Sequence, residues 1–501
     1  MAQEVELKLA LPAASRRAFL RHPALARAVS KRPVRHVFSI YFDTPDLDLR
    51  ARGIALRLRK LGGQWLQTVK CAGVAAGGLA SRPEWEYPYD GQAFDFSPVD
   101  QPEVRKFLEK ARRKGLLTPI FETDFKRRTW HFEPAPGSRL ELAFDEGVIR
   151  SGERSLPLCE LEIEIAAGDT GPLLQLAQEL AERLPLRPDA RSKAERGYGL
   201  FSALPLAPRH AQPSPLAPED GTRSAFRKIA LACLTQMQGN EEGLLSSDDP
   251  EFIHQMRVAL RRLRSALRTF APTLSAEFNA RFNSPLRELA RKLGAARDRD
   301  VLVEDVIRPV MAAFPGDARL ETLLALAHKE RLAARAGARA AVAEPAYGRL
   351  TLDLVAALHG AEFEQAEAAD DLRAFADISL KEARRRVARR AARAAGLDPL
   401  ALHALRIAVK HLRYSLDFLA VLYRRDRVRP ELSRLSALQS DLGHINDLAN
   451  ARHALLAHGE TPQLCEALAL VEGWHRGHLA PLITELPRRL TRLAGKRAVP
   501  S

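Results

Sequence analysis

The sequence predicts an α+β chain in two parts, antiparallel strands up to about residue 203 and helices from about residue 222. Three observations carry this. The first part alternates apolar and polar residues in short runs, the second spaces its apolar residues by three and four, and a proline-rich stretch separates them. At 501 residues the chain exceeds one ordinary core, and 46% hydrophobic with 28% charged residues is a globular composition. The expected organisation is a strand domain over 1–203, a linker over 204–221 and a helical domain over 222–496. The linker carries Pro205, Pro208, Pro213, Pro215 and Pro218, which neither a helix nor a central strand tolerates.

The first strand, "EVELKLAL", sets Glu4, Glu6 and Lys8 on one face and Val5, Leu7 and Leu9 on the other. The pattern recurs along the first part. Arg57 and Arg59 share a face in "ALRLRK", Thr68 and Lys70 in "LQTVK", and Glu84 and Glu86 in "PEWEY". Arg127 follows in "DFKRRTW", Glu141 and Asp145 in "LELAFD", and Glu160, Glu162 and Glu164 in "CELEIEI". A sheet with one wet face gives the same alternation. Segregation argues otherwise, because some strands bring acids alone and others bases alone, whereas a solvated face mixes them.

From Thr222 the text becomes rich in Ala, Leu and Arg, and it is duplicated. His254, Arg257, Arg261, Arg264 and Arg268 step by three and four in "IHQMRVALRRLRSALRTF", as do His403, Arg406, Lys410 and Arg413 in "LHALRIAVKHLRYSLDFL". The pairs His254 and His403, Arg264 and Arg413, Gly294 and Gly443, and Asp298 and Asp447 are each 149 residues apart. One helical unit is therefore present twice. Ile253, Met256, Leu260, Leu263 and Leu267 form an apolar stripe beside the basic one, matched by Leu402, Leu405, Val409, Leu412 and Leu416. Each copy thus packs one side and presents a basic ridge; each leading His is either a phosphate donor or a capping or core residue. The further basic text "LKEARRRVARRAARAAG" extends the patch or is solvated helix surface.

Charge narrows the partners. Lys and Arg number 77 against 62 Asp and Glu, a formal charge of +15, which favours polyanions. Aromatic content of 6% leaves few stacking platforms and argues against nucleic acid. Cys71, Cys159, Cys233 and Cys465 form no C-x-x-C pair, so neither a zinc ribbon nor a dense disulfide framework is suggested, and a reducing compartment fits. Residues 1–30 lack a secretory pattern and no apolar run reaches the roughly 18 residues of a membrane span, so a cytoplasmic protein without membrane attachment is expected.

If the charged strand faces turn inward in a closed sheet, crowded like charges require counterions. Carboxylates without Cys or His call for a hard divalent cation, Mg²⁺ or Mn²⁺, and the opposing Lys and Arg call for phosphate. A metal-bound polyphosphate satisfies both. "EVELK" resembles the E-x-E-x-K signature of the CYTH superfamily, the triphosphate tunnel metalloenzymes. The resemblance continues through "YFDTPDLDLRARGIALRLR", "RPEWEY", "ETDFKRRTW", "AFDEG", "CELEIEI" and "SKAERGY". The duplicated half resembles the histidine α-helical domain called CHAD, and CYTH followed by CHAD is the arrangement of bacterial inorganic triphosphatases.

The resemblance implies an N-terminal antiparallel β-barrel, a triphosphate tunnel, followed by an all-α domain of two duplicated helical bundles. It implies that Glu4, Glu6, Glu160 and Glu162 hold the divalent metal, with Glu164 continuing their parity. Lys8, Arg57, Arg59, Lys70, Arg127 and Lys193 would grip the triphosphate and Asp145 would line the tunnel; Lys8 also reads as a structural partner of its neighbouring carboxylates. The implied reaction is hydrolysis of inorganic triphosphate to diphosphate and phosphate. CHAD domains are associated with polyphosphate, which would lie on His254, Arg257, Arg261, Arg264, His403, Arg406, Lys410 and Arg413, while Asp298 and Asp447 organise arginines. The alternatives are a non-catalytic polyphosphate-granule binding protein, or a tunnel enzyme acting on thiamine triphosphate or a nucleotide.

Overall fold

The computed structural model describes residues 2–360, 363, 371–456 and 461–495. The chain divides into two compact units, Met1–Ala207 with Glu344–Gly360, and Pro208–Ala343 with Ala361–Ser501.

In the first unit, eight strands form one closed sheet. They are β1 (Ala2–Ala10), β2 (Arg35–Asp43), β3 (Ile54–Leu61), β4 (Gln64–Cys71), β5 (Leu79–Pro88), β6 (Thr118–Ala135), β7 (Ser138–Ser151) and β8 (Arg154–Ala167). Hydrogen bonding runs β1–β8–β7–β6–β2–β3–β4–β5 and returns from β5 to β1, every pair antiparallel. The barrel therefore has no free edge among these strands.

Directly opposed residues of antiparallel strands share a face, so the register carries the charged face around the ring. Lys8 lies opposite Glu162, Glu160 opposite Asp145, Asp145 opposite Arg127, and Tyr41 opposite Arg57. Lys70 lies opposite Glu84 and Arg82 opposite Glu4, which closes the circuit. The other parity is apolar: Leu7, Leu9, Leu142, Phe144, Leu161 and Ile163 are buried. Outside the barrel, Phe19 packs its ring against Trp130 and Phe144 at centroid distances of 5.6 and 5.1 Å. The longer helices of this part of the chain are α1 (Pro102–Arg113), α2 (Thr170–Arg183) and α3 (Lys193–Ser202). Because this outer face is covered, the polar parity has only the interior left to it.

Helix α3 begins with a capping box, Ser192 Oγ accepting from the Glu195 N–H at 3.1 Å and Glu195 accepting from the Ser192 N–H at 2.7 Å. It packs through Tyr198 against the inward parity of the barrel at Tyr41, Phe121 and Ile149. Its first residue, Lys193, is thereby buried within the barrel.

In the second unit the long helices are α4 (Thr222–Gln238), α5 (Pro250–Thr269), α6 (Ala276–Val301) and α7 (Ala318–Ala343), the intervening α8 (Pro345–Leu358) belonging to the first unit. The second series is α9 (Leu372–Ala394), α10 (Pro399–Phe418), α11 (Arg425–Leu456) and α12 (Pro462–Gly495). The duplication extends to the caps: Asp249 with Pro250 opens α5, and Asp398 with Pro399 opens α10. Both apolar stripes are buried throughout. Between the two helices a Thr269 Oγ1 to Ser415 Oγ hydrogen bond of 2.8 Å satisfies two buried hydroxyls. No helix among the described residues is long and apolar enough to cross a membrane.

Candidate functional site

The barrel interior pairs acid with base in three groups. On β1, Lys8 Nζ lies 2.7 Å from Glu6, while Lys70 Nζ from β4 lies 2.8 Å from Glu4 and 3.0 Å from Glu84. Arg82 of β5 bonds both carboxylates of the first strand, Glu4 at 3.2 Å and Glu6. In the second group Arg127 forks onto Asp145 with two hydrogen bonds of 2.7 Å and reaches Glu162 at 2.6 Å. Lys193 Nζ meets Asp145 at 2.7 Å, Glu162 at 2.9 Å and Glu160, and Arg196 also donates to Glu160. In the third, Arg57 lies 3.4 Å from Glu84 and 3.6 Å from Glu86, and donates to the Tyr41 hydroxyl at 3.4 Å. Among the described residues, Arg59 pairs only with Glu86, at 3.8 Å.

Burial and charge oppose one another at each group. Burial pushes Glu162 up, but Lys193, Arg127 and Lys8 outweigh it and hold the carboxyl well below the ordinary range. Asp145 is likewise lowered, burial being overcome by Arg127 and Lys193. Arg59 falls to about 10 through burial beside Arg57 and Arg127, which marks it as a cation short of counter-charge. Glu164 rises to about 7 through burial and the nearby Glu4.

The oxygens of Asp145, Glu160 and Glu162 all lie within 4.8 Å of one another. An all-oxygen set of that spacing suits a hard divalent cation. Of the four carboxylates expected from the sequence, Glu160 and Glu162 are in this cluster. Glu4 and Glu6 stand on the adjacent strand, held by Arg82. All the expected phosphate-gripping cations, Lys8, Arg57, Arg59, Lys70, Arg127 and Lys193, face the interior, in these three groups. Arg82 and Arg196 join these groups without being among the residues expected from the sequence. Arg82 shares the period-two parity of Glu84 and Glu86, and Arg196 follows Lys193 by one helical turn, so both signals were in the text.

The second unit gathers the repeated ridges. Arg257 pairs with Asp298 at 3.8 Å and Arg406 with Asp447 at 3.7 Å, the same contact in each copy. Gly294 leaves room for the first pair, since a Cβ there would stand 2.5 Å from the Arg257 guanidinium. Burial, with Arg406, Arg261 and Arg257 around it, brings Lys410 down to about 7. Arg257 falls to about 10 through burial, with Arg261, Arg297 and Arg406 adding to the fall. The basic residues of α5 and α10 therefore face one field. His254 is lowered to about 4 by burial and by Arg297, and His403 Nδ1 is 2.7 Å from Asn446 Oδ1. Neither histidine caps its helix; Asp249 and Asp398 do. Arg264 is lowered by burial and Arg287, and Arg413 donates to Gln439 at 2.9 Å. A separate cleft of about 340 Å³ is lined by Arg268, Arg386, Arg389, Arg390 and Arg393.

Comparison with known proteins matches both halves. A CYTH domain model matches residues 2–198 and a CHAD domain model residues 228–456. An inorganic triphosphatase of Haemophilus influenzae is 32% identical over 211 residues, covering 40% of this chain and 56% of that protein. The chain thus spans little more than half the length of that relative. An uncharacterized protein of Mycobacterium tuberculosis is 27% identical over 454 residues, covering 85% of this chain and 83% of its own length. Among solved structures, the CHAD domain of the plant Ricinus communis has a TM-score of 0.51 at 33% identity, covering 58% of this chain and 98% of that one. The sequence motifs, the charged closed barrel and these matches agree: the chain belongs to the proteins that join a CYTH domain, here residues 2–198, to a CHAD domain, here residues 228–456.

Proposed function

We propose that the barrel hydrolyses inorganic triphosphate to diphosphate and phosphate with a divalent metal, Mg²⁺ or Mn²⁺, and that the helical unit binds polyphosphate. The observation that carries the first half is the convergence of three carboxylates with Arg127 and Lys193 inside a closed barrel. Glu160 and Glu162, with Asp145 beside them and Glu4 and Glu6 on the next strand, would hold the metal. When bound, it would supply Lewis-acid charge against the phosphate and lower the pKa of the attacking water.

The chain's own groups do the rest. Lys8, Arg57, Arg59, Lys70, Arg127 and Lys193 neutralise the phosphate oxygens and hold the terminal phosphorus in line with the water. The water adds to that phosphorus as the bridging P–O bond breaks, and diphosphate leaves. The charge spread over the equatorial oxygens meets fixed guanidinium and ammonium donors, so no side-chain nucleophile is needed. For the helical unit, support comes from Arg257, Arg261, Arg406 and Lys410 sharing one field, where a linear polyanion relieves mutual repulsion.

The test is phosphate release from triphosphate, ATP, thiamine triphosphate and long polyphosphate, with and without Mg²⁺ or Mn²⁺, on wild type and Glu6→Ala. Metal-dependent turnover of triphosphate above the other substrates, lost in Glu6→Ala, is expected. Full activity in Glu6→Ala would remove Glu6 from the site, and no release from any substrate would favour a binding protein.

A further inference from the structure

Helix α8 is encoded between the two helical repeats, within the CHAD-matched residues, yet it belongs to the barrel unit. Its buried face, Tyr347, Gly348, Thr351, Val355 and Leu358, repeats at helical spacing. Gln178 of α2 donates to Asp353 at 2.6 Å and ties the helix to the barrel's outer layer.

Two contacts of this face matter most. Val355 presses on Gly77, so closely that a Cβ at Gly77 would lie 2.0 Å from the valine methyl. Gly348 approaches Leu186, where a Cβ would lie 1.9 Å from the carbonyl oxygen. Both touched segments flank Lys8. The Lys8 N–H donates to the Gly78 carbonyl at 3.0 Å, and the Lys8 carbonyl accepts from the Asp189 N–H at 2.9 Å. The backbone of Lys8 is thus clamped by two segments, and α8 backs each of them. The side chain so placed reaches Glu6 at 2.7 Å in the interior.

We infer that α8 is a positioning element of the tunnel, with Val355 fixing Lys8 through the Gly77–Gly78 turn. The barrel is then incomplete without a helix supplied by the second half of the sequence. The functional side of the inference rests on the hydrolase reading above; its structural side does not. Val355 touches no reacting atom and is a positioning residue.

The test uses the full chain with Val355→Ala, read in two ways. Hydrogen exchange of the Lys8 and Asp189 amides should quicken about tenfold, while amides of β6 and β7 keep their wild-type rates. Equal acceleration across the barrel, or none at Lys8, overturns the inference, and either answer is available even if the wild type hydrolyses nothing, a result that would sink the proposed activity alone. For turnover, Val355→Ala should lower kcat/KM for triphosphate about three- to tenfold in the wild type and leave it unchanged in a Lys8→Ala background, since coupled residues are not additive. The same fold-loss in both backgrounds would mean that α8 acts without Lys8.

Discussion

Replacing Arg127 with Met separates the charge balance of the tunnel from its shape. The guanidinium makes two hydrogen bonds to Asp145 and one to Glu162, and Asp145 is fully buried. Breaking a buried ion pair from one side costs about 3–5 kcal/mol, because a desolvated charge is left behind. Here Lys193 remains at 2.7 and 2.9 Å from the two carboxylates, so the low end applies, about 3 kcal/mol. For a domain of this size that lowers the barrel's melting temperature by about 6–12 °C in chelator. A divalent cation bound by the freed carboxylates should restore part of the loss, so the gap narrows with Mg²⁺. Acid should narrow it as well. Arg127 lowers the pKa of Asp145 and Glu162, so its stabilisation is present above their unfolded values and fades as the pH falls below about 4. Triphosphate turnover should drop about 10²–10³-fold with the loss of one preorganised donor. The assay is thermal unfolding by circular dichroism in chelator and in Mg²⁺, at neutral and acid pH. Equal melting of variant and wild type in chelator would refute the charge balance described above.

Further consequences concern the helical unit. Gly294→Ala should displace the Arg257 guanidinium and weaken long-chain polyphosphate binding several-fold without loss of stability, whereas Gly443→Ala, whose Cβ would be 4.0 Å from Arg406, should bind like wild type in the same titration. Lys410 lies near 7 through burial, faced by Arg406 on its own helix, Arg257 and Arg261 on α5 and Asp447 on α11. Bound polyanion returns its pKa upward, so affinity should fall by up to about tenfold per unit as the pH rises above 7, and Lys410→Arg should flatten that profile. Arg386→Ala with Arg390→Ala should reduce the salt dependence of polyphosphate binding by about one to two in log–log slope if the five-arginine cleft extends the ridge; an unchanged slope leaves those residues as solvated surface.

The strand parity was open to reading because antiparallel pairing preserves it: Glu4, Glu6, Lys8, Arg57, Lys70 and Glu162 share one face in the text and in the barrel. Which of them meet was not, since that depends on the stagger and curvature of the closed sheet. Asp145 falls among the converging carboxylates because β7 sets it opposite Glu160, and Arg82 reaches Glu4 and Glu6 because β5 closes on β1. The helical duplication was legible from its 149-residue offset, and the caps Asp249 and Asp398 continue that offset in the structure. Helix α8 was hidden for a different reason. Its apolar periodicity is that of any packed helix, and periodicity does not name the partner.

On the proposed function, metal and triphosphate neutralise opposed charges in one cavity, which makes their binding mutually dependent. Equilibrium dialysis of Mn²⁺ against the full chain, with and without triphosphate, tests this directly. Mn²⁺ is expected to bind at least tenfold more tightly when triphosphate is present, on the order of 1.4 kcal/mol of coupling. Identical Mn²⁺ affinity in both conditions would contradict it.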